Sequence, residues 1–221
     1  KSIIKLILKN SDYNFFETKY LIEKFKKFNS NTFWWPNSRP KTSLLVSENF
    51  NKRFVFISQV KKTKGVCEFI DAASNIDNSY VFDIYGPILS YEIKCKISEN
   101  SNVNYKGILK SNEVIKKLLE YNVLVLPTYH EGEGYPGVIL EAFSIGMPVI
   151  STKWNSIPEI VKDEHNGLLV PIKDVVRLTN SFLFFNQTNY KKFRLNAIDA
   201  FDMFNSEKVN FNFFKTIKFN N

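Results

Sequence analysis

Between Arg53 and about Gly167 the chain alternates short β-branched apolar runs with amphipathic stretches, and this rhythm admits few folds. Phe54 to Ser58 (FVFIS), Tyr80 to Tyr85 (YVFDIY), Val103 to Ile108, Val123 to Pro127 (VLVLP) and Pro148 to Ser151 (PVIS) read as strands. Val66 to Ser74, Glu113 to Tyr121 and Val138 to Ile145 carry apolar residues at helical spacing. Strands apolar on both faces, separated by helices, are the mark of a parallel sheet covered on both sides by crossover helices. The predicted class is therefore α/β.

The first 50 residues keep this rhythm less well. Lys19 to Phe28 (KYLIEKFKKF) reads as a helix with Leu21, Phe25 and Phe28 on one side, and TFWWPNSRP follows as an extended segment and turn. A boundary is placed near Ser47 to Lys52. From Val175 onward the chain reads as helical and Phe-rich; its Phe-rich tail and the Lys19 to Phe28 helix are expected to lack their usual partner surface and so to promote association.

An excess of 30 Lys and Arg over 22 Asp and Glu gives a net charge of +8. The sign favours anionic partners such as phosphates or acidic membrane surfaces, and no recognition motif accompanies it that would point to nucleic acid. Cys67 and Cys95 lie in no metal-ligand or disulfide spacing, which fits a reducing compartment. The opening KSIIKLILKN is too short and too charged to span a bilayer.

The segment with chemical content is VLVLPTYHEGEGYPGVILEAFSIGMPVIS. A buried strand ends at Pro127, a polar loop with Gly132, Gly134 and Gly137 follows, and a helix opens near Gly137. Ligands of open α/β sheets bind at the carboxyl ends of strands, where this loop lies. The free N–H groups at a helix start suit a phosphate or a sugar hydroxyl. Glu133 on the loop and Glu141 one turn into the helix are ionised acceptors suited to vicinal hydroxyls. For a lone Glu141 the helix macrodipole would be the better explanation, but three glycines and three acids between a strand and a helix favour a ligand site.

The spacing Glu133 to Glu141 (EGYPGVILE) resembles the Glu-x7-Glu signature of glycosyltransferase family 4. The flanks agree in order: Leu126-Pro127-Thr128 before it, Gly146-Met147-Pro148-Val149-Ile150 after it, then Ile157-Pro158-Glu159-Ile160-Val161 and Asn166-Gly167-Leu168-Leu169-Val170. The resemblance implies a retaining enzyme of the two-domain GT-B fold, of which this chain matches the C-terminal, Rossmann-like donor domain. Residues 47–221 would form that domain, and residues 1–46 the last helix and strand of the N-terminal domain with its linker.

By the same resemblance Glu133 contacts the transferred sugar and Glu141 holds the ribose hydroxyls. Gly134, Tyr135 and Pro136 offer backbone contacts to sugar or phosphate. The family also uses an Arg and a Lys after the first strand of this domain. Lys64 matches the lysine, and Gln59 stands where the arginine is expected, with Lys61 or Lys62 as possible replacements. Glu133 and Lys64 are the expected catalytic pair, and His130 is a weaker candidate.

The implied donor is a nucleoside diphosphate sugar, with no permanently bound cofactor and no metal, since no Asp-x-Asp triplet occurs. The implied acceptor is a glycan or lipid-linked glycan in polysaccharide biosynthesis, in the cytoplasm or peripherally at the inner face of the membrane. The acceptor-binding domain would come in cis or trans, and this fragment alone would be an inactive hexosyltransferase half. A donor-binding subunit without activity of its own, or a GT-B-like epimerase, are the alternatives.

Overall fold

The computed structural model describes residues 2–218, so Lys1 and the last residues of the Phe-rich tail, 219–221, lie outside the described residues. The N-terminal part comprises α1 (Ser2–Asn10), β1 (Asn14–Phe16), α2 (Lys19–Phe25) and β2 (Thr32–Trp34), with β1 and β2 paired in parallel. The larger part runs β3 (Arg53–Ile57), α3 (Val66–Ala73), β4 (Val81–Tyr85), α4 (Tyr91–Glu99), β5 (Val103–Tyr105), α5 (Val114–Leu118), β6 (Val123–Leu126) and α6 (Gly137–Ser144). It continues with β7 (Val149–Thr152), α7 (Ile157–Ile160), β8 (Gly167–Val170), α8 (Val175–Phe184), α9 (Gln187–Phe201) and α10 (Ser206–Lys218).

Six of these strands form one parallel sheet in the order β5-β4-β3-β6-β7-β8. Helices cover both faces, α3 against α4 and α8 on one side and α6 against α5 and α9 on the other. The expected fold class is therefore correct. The core follows from sequence: Val123 to Leu126 are all buried because both faces of β6 are covered. Phe182 of α8 closes the opposite layer, its ring centroid 4.9 Å from Phe82, 5.1 Å from Phe54 and 6.1 Å from Phe69.

Several elements differ from expectation at their ends. The helix expected to Phe28 stops at Phe25, and the strand expected to Ile108 stops at Tyr105, before Gly107 takes φ +93°. α4 was not expected at all, because YEIKCKISE buries only Ile93 and Ile97 and carries little helical periodicity. The opening segment is helical, and Ile3, Ile4, Leu6 and Ile7 stand exposed on it.

The expectation that the Phe-rich tail and α2 lack partners needs correcting. Phe213 of α10 packs its ring 4.8 Å from Trp35 and 4.7 Å from Phe15, while Phe25 stacks on Phe16 at 5.0 Å. The tail returns across the domain and covers the N-terminal segment, although Phe211 and Phe214 remain exposed. Among the described residues no helix is long and apolar enough to cross a membrane.

Candidate active site

Chain direction opens a crevice in the middle of the sheet. β3 and β6 are neighbours, yet the chain proceeds from β3 toward β4 and β5, and from β6 toward β7 and β8. The loops leaving their carboxyl ends therefore diverge, which is where ligands of such sheets bind. The loop after β3 ends in a turn over Lys62–Lys64 and then Gly65, whose φ is +80°. A Cβ on Gly65 would come within 2.1 Å of the Pro127 carbonyl oxygen, so glycine is what lets this loop close on the end of β6.

Lys64 and Glu133 meet across the crevice. Lys64 Nζ donates to both carboxylate oxygens of Glu133, at 2.8 and 2.6 Å, and both side chains are mostly shielded from water, at 14% and 8% exposure. Thr128 Oγ1 donates a further bond to Glu133 Oε2 at 2.6 Å. The loop bearing Glu133 is tied at its base: Tyr129 N–H donates to the Thr63 carbonyl, Trp154 Nε1 to the His130 carbonyl, and Asn155 Nδ2 to the Glu131 carbonyl. Thr152 Oγ1 also donates to the Thr128 carbonyl.

Tyr135 is the junction between this loop and the N-terminal part. Its N–H donates to Glu17 Oε1 at 2.9 Å, its carbonyl accepts from Asn37 Nδ2 at 3.0 Å, and its hydroxyl donates to Glu159 Oε2 at 2.5 Å. Burial first, and then the Glu159 carboxylate, push the Tyr135 hydroxyl pKa well above its ordinary value. Glu159 also accepts from the N–H groups of Lys19 and Tyr20, at 2.7 and 3.0 Å, and so satisfies the open start of α2. Two carboxylates are thus exchanged: Glu17 reaches from the N-terminal part to the loop, and Glu159 reaches back.

A cavity of about 570 Å³ opens beside the pair, between Glu17, Thr18, Tyr20 and Lys24 on one wall and Glu131, Glu133, Gly134 and Asn155 on the other. It has the size of a small-molecule site. Its walls set the carboxylates of Glu17, Glu131 and Glu133, the hydroxyls of Thr18 and Ser156, Asn155 and Lys24 beside Tyr20 and Leu21, so groups that can hydrogen-bond hydroxyls stand next to apolar surface.

The expected site residues fall into distinct positions. Lys64, Glu133 and Gly134 gather at the crevice, and the N–H of Tyr135 is engaged by Glu17. Pro136 caps the start of α6, and Glu141 pairs with Arg39, Arg39 Nε to Oε1 at 2.8 Å. Gln59 is exposed on the loop after β3. Lys61 and Lys62 line a separate hollow with Cys67, Ser90, Glu92 and Lys96. His130 Nδ1 lies 3.5 Å from Thr63 Oγ1. Sequence reading missed Glu17, Asn37, Arg39 and Glu159 as parts of one cluster. Asn37 and Arg39 were visible only as turn residues of PNSRP.

Residues 51–185, which include Lys64, Glu133 and Glu141, match the family described as Glycosyl transferases group 1. An uncharacterized 41.2 kDa protein in the cps region of Klebsiella pneumoniae is 30% identical over 193 residues, covering 84% of this chain and 49% of that protein. A putative colanic acid biosynthesis glycosyltransferase, WcaL of Escherichia coli, is 37% identical over 89 residues, covering 38% of this chain and 22% of that protein. The chain thus spans half or less of the length of these relatives. In structure it is similar to Anabaena Alr3699/HepE, solved in complex with UDP and glucose, with a TM-score of 0.82 at 16% identity, covering 98% of this chain and 66% of that one. At that identity the likeness shows the fold. A family match across more than half of the chain, laid over the crevice that joins Lys64 to Glu133, makes this chain a member of the Glycosyl transferases group 1 family.

Proposed function

We propose that this chain is the donor-binding part of a retaining glycosyltransferase of family 4, moving a sugar from a nucleoside diphosphate sugar to a glycan or lipid-linked acceptor. The observation that carries the reading is the Lys64–Glu133 pair across the crevice, on a loop that bears the family spacing to Glu141. Departure of a nucleoside diphosphate builds negative charge, and a fixed cation in a partly dry crevice stabilises it in the transition state. Glu133 holds Lys64 in place and offers acceptor oxygens to sugar hydroxyls. Glu141 takes the ribose, and the Gly134–Pro136 backbone lines the path between them.

The acceptor domain, in cis or trans, supplies the other wall of the cleft, so the chain by itself binds donor and turns it over poorly. Similarity to proteins named for colanic acid and amylovoran biosynthesis supports a polysaccharide product. A cytoplasmic location, with peripheral contact at the inner membrane face, suits that chemistry. No metal is required, since Lys64 and the helix start supply the positive field.

Titration calorimetry with UDP-, GDP- and ADP-linked sugars tests the reading. Binding of one nucleotide class is expected, with Glu133→Ala weakening the sugar nucleotide about tenfold more than the free nucleoside diphosphate, the loss of one charged hydrogen-bonding group. Binding of none, or equal losses for both ligands, would reject the role given to Glu133.

A further inference from the structure

Each oxygen of an ionised carboxylate has two lone pairs to offer. Glu133 Oε2 accepts from Lys64 Nζ at 2.6 Å and from Thr128 Oγ1 at 2.6 Å, whereas among the described residues Oε1 accepts from Lys64 Nζ alone, at 2.8 Å. Oε2 is therefore filled, and Oε1 keeps one acceptor position beside the cavity that Glu133 lines. A single hydroxyl, that of Thr128, makes the two oxygens unequal.

Thr128 lies two residues beyond the end of β6 and is fully buried. A hydroxyl has one hydrogen to give, and the neighbours of Thr128 decide where it goes. His130 N–H, which can only donate, reaches Thr128 Oγ1 at 3.2 Å and takes an acceptor position there. The hydrogen then has two acceptors within reach, Glu133 Oε2 at 2.6 Å and the Thr63 carbonyl at 3.3 Å. The carboxylate is nearer and charged, and the Thr63 carbonyl is already supplied by Tyr129 N–H at 2.9 Å, so the hydrogen goes to Glu133. β7 fixes the backbone of Thr128 from the side: the Thr128 carbonyl accepts from the Thr152 hydroxyl, and the Leu126 carbonyl from Ser151 Oγ at 2.7 Å. Both of these donors are fully buried, so the hydroxyl of Thr128 stands on a rigid base.

We propose that Thr128 is a positioning residue of this site: its hydroxyl sets the plane of the Glu133 carboxylate, so that Oε2 is held by the protein and Oε1 alone is presented to a sugar hydroxyl. The inference rests on the donor reading above, in which Glu133 meets the transferred sugar. Lys64 cannot do this alone, because an ammonium on a flexible stem fixes charge without fixing the plane of its partner. Without the hydroxyl, Oε2 regains a free lone pair and the carboxylate turns about Lys64.

The test titrates the intact chain with UDP-, GDP- and ADP-glucose, each against its free diphosphate, and reads the ratio of the two affinities. Two pairs of chains differ by the hydroxyl alone: the unaltered chain against Thr128→Val, and Thr128→Ser against Thr128→Ala. In each pair, loss of the hydroxyl is expected to shift the ratio about fivefold against the sugar nucleotide. Thr128→Ser, which loses only a buried methyl group, is expected to keep the ratio of the unaltered chain and to melt at a lower temperature. Added to Glu133→Ala, Thr128→Val is expected to shift the ratio no further, because it acts through Glu133. A further shift in that background, or a shift in Thr128→Ser as large as in Thr128→Ala, would overturn the proposal. Should Thr128→Val not fold, the serine and alanine pair decides. A ratio that Glu133→Ala shifts and both hydroxyl-free variants leave unchanged would reject the role of Thr128 and keep the donor reading. If the unaltered chain binds none of the three sugar nucleotides, the donor reading falls and takes this inference with it.

Discussion

Lys64 and Glu133 lie 69 residues apart in the chain and join as a two-pronged ion pair, Nζ at 2.8 and 2.6 Å from the two carboxylate oxygens. The pair bridges the two diverging loops of the sheet. Removing one member leaves the other mostly buried and uncompensated. Lys64→Met or Glu133→Leu alone is expected to destabilise the chain by about 3 kcal/mol, and the double variant by less than the sum. Chemical denaturation of the three variants measures this, and strictly additive losses would show that the pair is not coupled.

Glu159 accepts three hydrogen bonds, from Lys19 N–H, Tyr20 N–H and the Tyr135 hydroxyl. It is the clasp between the N-terminal part and the larger sheet. Glu159→Ala is expected to cost about 2 kcal/mol of global stability or of local attachment. Limited proteolysis distinguishes these outcomes: cleavage should appear first between Ser11 and Trp34. Cleavage spread evenly over the chain would argue against a local clasp.

Several tyrosines are held against ionisation, Tyr121, Tyr135 and Tyr129 among them. Burial and its hydrogen bonds to Asp83 and Tyr85 raise the Tyr121 hydroxyl, burial and Glu159 raise Tyr135, and burial and Glu68 push Tyr129 up to about 12. The unfolded chain releases these protons near pH 10, at the ordinary tyrosine value, while the folded chain retains them. The unfolded state therefore binds fewer protons above about pH 10, and stability falls as pH rises. For Tyr129 the loss should run from about pH 10 to about pH 12. Denaturation midpoints across this range test it, with Tyr129→Phe flattening the slope. A slope that this variant leaves unchanged would reject its share.

Phe182 is fully buried among Phe54, Phe69 and Phe82. Phe182→Ala removes a ring from the layer under the sheet, with an expected loss of about 3–5 kcal/mol. Phe182→Leu keeps much of the volume and should cost distinctly less. Equal losses would mean that the layer does not depend on filled volume.

The sheet was legible because its strands are buried on both faces, and such strands write themselves as apolar runs. β3, β4, β6 and β7 each fall within two residues of the runs read from sequence, and α3 and α6 likewise. α4 escaped because a helix that buries only Ile93 and Ile97 leaves most of its length to solvent, with little period to read. Glu133, Lys64 and Glu141 were legible through a local spacing and a loop between strand and helix.

Their partners were not, because nothing local connects them: Glu17 lies 118 residues from Tyr135, and Arg39 lies 102 from Glu141. The sequence by itself determined a parallel sheet and an acidic glycine loop at its carboxyl edge, since burial and backbone conformation act over a few neighbouring residues. Only the tertiary structure decided which charges face that loop. Ion pairing depends on distances of a few ångströms between segments that meet once the sheet has formed, and the return of α10 over the linker, fixing Arg39 between Phe204 and Ser206, is one such meeting.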